Sequence, residues 1–120
     1  MADNIQTLMQ QADRLGIVAQ ILNEKLTELR SNFTIMFEQR RAIYLQIEHY
    51  SGVLNRTNED SAMYQTRYTQ MCEVLDKEKQ LSDDLLTTYE DIEEKEQEVK
   101  EIQAEEAEIR RRISQLEAEQ

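Results

Sequence analysis

The chain has 120 residues, 32% of them charged, with two glycines, no proline and a formal net charge of −11. So few turn formers exclude an ordinary many-turned globular topology and favour long helices. The charge repels phosphates and anionic headgroups, which excludes sequence-independent binding to nucleic acid or a membrane surface and leaves other proteins as the expected partners.

No apolar run approaches the roughly 20 residues of a membrane helix, and the N-terminus lacks the basic and apolar regions of a secretory leader. The expectation is an intracellular protein, cytoplasmic or else nuclear or cytoskeletal. The single cysteine, Cys72, forms no internal disulfide and agrees with a reducing compartment.

The first element is a helix beginning near residue 4, with Asp3 or Asn4 placed to cap its first-turn amides. With Ile5 at heptad position a and Leu8 at d, the a and d sites take Leu8, Leu15, Leu22, Leu26, Leu29, Phe33, Met36, Ile43, Ile47, Tyr50 and Leu54. The same phase continues through Tyr64, Tyr68, Met71, Leu75, Leu85, Ile92 and Val99. From Ile5 to Val99, apolar or aromatic residues fill 22 of the 28 a and d sites, against 39% of the whole chain, so the pattern is a seam for a partner helix.

From Ile5 to Leu54 the apolar surface is wider than the seam, because Met9, Val18, Phe37, Tyr44 and Val53 occupy flanking e and g positions. A two-stranded coiled coil leaves such residues exposed. This segment therefore predicts a bundle of three or more helices, or a second protein along one flank. Arg40 is the one charged residue in the N-terminal seam. A polar layer there could fix register and partner number, but the favoured reading lays its stem over the seam and puts its head in water.

Residues 51–61 are rich in Ser, Gly, Asn, Thr and Asp, which compete with helical hydrogen bonding and favour caps and turns. Two arrangements follow. In one, a nearly continuous helix, on the order of 170 Å long at the α-helical rise, runs through a soft middle and forms a parallel dimer or small bundle. In the other, residues 5–54 and 62–116 fold back as an antiparallel hairpin. The resumption of one heptad phase at Tyr64 favours the continuous helix.

The second half is acidic, and intrahelical pairs such as Glu73 with Lys77 and Glu106 with Arg110 support a solvated helix. After Val99 the apolar residues Ile102, Ile109, Ile113 and Leu116 stand one residue early, which reads as a three-residue stammer at Val99. In that later phase Glu105 opposes Arg110 and Arg112 opposes Glu117 between parallel chains. Parallel self-pairing is thus best supported at 99–116, with the 5–54 face left for other helical proteins.

No residues predict catalysis, a metal or a cofactor. His49 stands alone at a solvent-facing c position, Cys72 reads as a small interface hydrophobe, and the carboxylates lie on a helix surface without a pocket to shift a pKa. The reading is an all-α coiled coil with three segments: 1–54 with a broad apolar face, 55–61 soft or turning, and 62–120 acidic. Its expected role is non-enzymatic scaffolding and oligomerisation, with the coherent heptad running to Gln120 suggesting a piece of a larger cytoskeletal, trafficking or chromosome-segregation component. The alternative is a helical-hairpin adaptor or chaperone-like subunit. In length and in two coiled-coil arms that outline resembles prefoldin subunits, although those carry β-hairpins between the arms and residues 51–61 have no alternating Val or Ile run.

Overall fold

A computed structural model of the chain describes residues 2–120, with backbone only at residues 2 and 3. Two α-helices account for nearly all of it, α1 over Ala2–Asn55 and α2 over Ala62–Ala118. The all-α expectation stands. Of the two arrangements, the structure takes the hairpin: the helix is interrupted between Asn55 and Ala62, and within each of its two units the α1 and α2 segments run antiparallel. The expected cap falls inside α1: Asn4 lies within the helix, and the side chain of Asp3 lies outside the described residues.

The interruption has a local chemical cause. The last turn of α1 tightens, with the Thr57 amide donating to the Leu54 carbonyl at 3.1 Å and the Thr57 hydroxyl to the Val53 carbonyl at 2.7 Å. The Asn58 side chain then accepts from the Asp60 amide at 3.0 Å, and the Ser61 hydroxyl accepts from the Met63 amide at 3.2 Å. Ser61 thus caps α2 and Asn58 closes the turn, so the polar residues that weaken a helix here satisfy its cut ends instead. Arg67 on α2 donates to the Thr57 hydroxyl and ties the two helix ends together.

The chain divides into two compact units. The first joins Met1–Arg30 to Asp91–Gln120. Within it Asp13 pairs with Arg110 at 3.3 Å and Arg30 with Glu96 at 2.8 Å, so the two segments run antiparallel. Its buried core is Ala12, Ala19, Leu22 and Leu26 from α1 with Ile92, Val99 and Ile113 from α2. The second unit, Ser31–Glu90, contains the turn. There the Phe33 and Tyr89 rings lie 6.4 Å apart and the Tyr44 hydroxyl donates to Glu78 at 3.2 Å, again antiparallel, and Val74 and Leu85 are its buried apolar residues.

On α1 the burial follows the expected heptad: every a and d residue from Ile5 to Leu54 is buried or half-buried, Arg40 included. On α2 the phase differs. Tyr64, Met71, Glu78, Leu85, Ile92, Val99, Glu106 and Ile113 form one row of the seam, and Arg67, Val74, Leu81, Thr88, Lys95, Ile102, Ile109 and Leu116 form the other; all are buried or half-buried. This is a single uninterrupted heptad with Tyr64 at a. The expected Val99 stammer is therefore absent, and the change of phase lies across the turn.

Tyr68 and Leu75, expected on the seam, are 47% and 43% exposed, whereas Val74 beside them is 6% exposed. The apparent continuity of phase arose because Tyr64, Met71, Leu85, Ile92 and Val99 belong to both registers. The apolar residues expected to zip two chains in parallel from Val99 onward pack instead against α1 of the same chain.

Candidate interaction surface

In an antiparallel helix pair the e positions of one helix lie beside the e positions of the other, and g beside g. The Arg30–Glu96 pair, both at e, shows this in the first unit. In the second unit the same side carries Phe37 and Tyr44 from α1 with Tyr68, Leu75 and Tyr89 from α2, each between 43% and 50% exposed. The seam beside them is already filled by the residues at a and d.

The stripe is ordered by its own contacts. Phe37 stacks on Phe33 at 6.4 Å, Phe33 meets Tyr89, and Tyr68 stacks on Tyr64 at 6.4 Å. Arg40 holds its guanidinium 5.5 Å from the Phe37 ring centre and 5.6 Å from that of Tyr44. Its stem follows the seam and its head lies on the aromatic flank, an arrangement stabilised by the ring quadrupoles. Glu78, a seam carboxylate, accepts from Tyr44 and, at 2.7 Å, from the Ser82 hydroxyl, so both of its neighbours on this flank are engaged.

On the other side of the second unit the g positions include Gln39, Gln46, Gln70, Lys77 and Asp84. A shallow groove of ≈ 530 Å³ is lined by Leu45, His49, Tyr50, Glu73, Val74 and Lys77, and a second of ≈ 450 Å³ by Gln39, Ile43, Lys77, Gln80, Leu81 and Asp84. His49 is exposed, with its ring edge 5.6 Å from Tyr50. Cys72 is a half-buried free thiol.

The first unit presents charge. Arg110 reaches both Glu106, at 3.1 Å, and Asp13, and these hydrogen bonds raise its pKa above the ordinary guanidinium value. Arg111 pairs with Glu108 and holds that carboxyl below the usual carboxylate range, chiefly by its hydrogen bond and then by its charge. A carboxyl depressed in the folded state contributes stability above the ordinary carboxylate range and loses it as pH falls through the lowered value. Glu108 is fully exposed, so solvent screens that contribution. Of the flanking residues expected to widen the apolar face, Met9 and Val18 are exposed here, together with Ile17 and Ile21, while Val53 of the second unit is half-buried.

The heptad found every seam residue of α1, and on α2 Tyr64, Met71, Leu85, Ile92, Val99, Ile102, Ile109, Ile113 and Leu116. It missed Val74 and Leu81, and it placed Tyr68 and Leu75 in the seam rather than on the flank. Extending the Ile102 to Leu116 phase backward along α2 is the signal that finds them. Among the described residues no group of three or more His, Cys, Asp or Glu could hold a metal ion, and no helix is long and apolar enough to cross a membrane. No protein-family model matches the chain, and comparison with curated proteins and with solved structures returns no match.

Proposed function

We propose that the chain is a non-enzymatic assembly protein, a helical-hairpin adaptor that joins other proteins through its flanks. One observation carries this reading. The seam of each unit is filled from within the chain, yet the second unit still displays a heptad-spaced stripe of five half-exposed large side chains, the kind of surface that marks an interaction site. The hairpin favours the adaptor over the self-zipping scaffold, because the residues that would zip two chains are occupied.

Photo-crosslinking in the cell tests the reading. A benzophenone amino acid at Phe37 or at Leu75 gives discrete protein adducts, and the same probe at Glu94, an exposed residue of the first unit, gives none. Equal labelling at all three sites, or none at any, overturns the proposal.

A further inference from the structure

Resting on that reading, we propose that the aromatic flank of the second unit docks an amphipathic helix of another protein whose flanking residues are acidic. The spacing indicates a helix. Tyr68, Leu75 and Tyr89 stand at multiples of seven residues on α2, and Phe37 and Tyr44 stand seven apart on α1. At the α-helical rise these anchors recur about every 10 Å, and a partner of about 20 residues covers the roughly 30 Å between Tyr68 and Tyr89. A row of knobs at heptad spacing is the complement of a helix whose apolar residues recur with the same period.

The charges choose the partner's sign. In a chain of net charge −11, this flank carries Arg40 over the rings and, at the adjoining b positions, Arg41 and Lys79. Among the described residues none of these three forms an ion pair. Against them stand Glu78, which accepts from Tyr44 and Ser82, and Glu48, the one carboxylate at b on this stretch of α1. Acidic side chains on a docked helix complement these cations and steer its approach. A second copy seated face to face would bring this cation-bearing patch against the same patch, because an isologous contact uses one surface twice. The occupant is therefore a different, acidic chain.

The test uses the full chain and two fluorescein-labelled 21-residue helical peptides with leucine at a and d, one with glutamate and the other with lysine at e and g. Fluorescence anisotropy shows the acidic peptide binding at least about ten-fold tighter at low salt, weakening as salt rises. Arg41→Glu with Lys79→Glu removes that preference, and Tyr68→Ser with Leu75→Ser removes binding of both peptides. All four residues are exposed, so helicity by circular dichroism stays unchanged and the loss is read as loss of the surface.

Equal or tighter binding of the basic peptide, no binding of either, or an affinity untouched by charge reversal overturns the inference. A chain that sediments as a dimer, and returns to monomer in the Tyr68→Ser, Leu75→Ser variant, also overturns it while leaving the assembly reading standing. Absence of cellular adducts at Phe37 and Leu75 removes the assembly reading itself.

Discussion

The two glycines show how one residue type meets different surroundings in the two units. Gly52 lies in the last turns of α1 without a positive φ, and a Cβ built there meets nothing within 4 Å. Nothing in the fold uses its freedom, so Gly52→Ala recovers helix propensity and stabilises the protein by up to about 1 kcal/mol. Gly16 is also helical, but its Cβ would stand 3.0 Å from the Glu106 carboxylate, which in turn holds Arg110. That carboxylate sits at a seam position and finds room because Gly16 has no side chain. Gly16→Ala therefore gains less than Gly52→Ala, since Glu106 must move. Urea unfolding of the two variants checks the order. A larger gain at Gly16 would show that Glu106 moves aside freely and that the close approach does not constrain the seam.

Along each element, what decides the structure is which residues a heptad phase turns inward. On α2 adjacent residues answer that question, because Val74 is buried and Leu75 is not. Val74→Ala should cost on the order of 2 kcal/mol through lost burial and the cavity left behind, and Leu75→Ala under about 0.5 kcal/mol, as is usual for exposed positions. The reverse order in chemical denaturation would restore the phase read from α1. The seam of α1 was legible in the sequence because apolar or aromatic residues fill every a and d site from Ile5 to Leu54 except Arg40, while the flanking apolar residues are fewer and scattered. On α2, Tyr68, Leu75 and Tyr89 supply a second apolar stripe one residue from the true one, so periodicity alone gives two nearly equal answers. That stripe is the candidate site, hidden as surplus seam, and the expected flank at Phe37 and Tyr44 supplied only half of it. The turn was legible in composition. It was outweighed by a phase continuity that five shared residues produced without a continuous helix.

For the molecule as a whole, the decisive question is whether helix formation requires a second chain. An isolated amphipathic helix of either length would be marginal in water unless its apolar face were covered. Here Leu22 and Leu26 are covered by α2 segments of the same chain in the first unit, and Val74 and Leu85 by α1 segments in the second. Folding is then unimolecular, and mass action does not enter it. In a coiled coil closed between chains helicity would fall on dilution; in this hairpin it does not. Circular dichroism at 222 nm and the thermal midpoint should stay constant from micromolar to nanomolar chain. A midpoint that drops with dilution would mean that the seams close between chains, as they would in a parallel dimer. Tyr68→Ser with Leu75→Ser, both exposed, should preserve the midpoint, whereas Val74→Ala should lower it at every concentration alike.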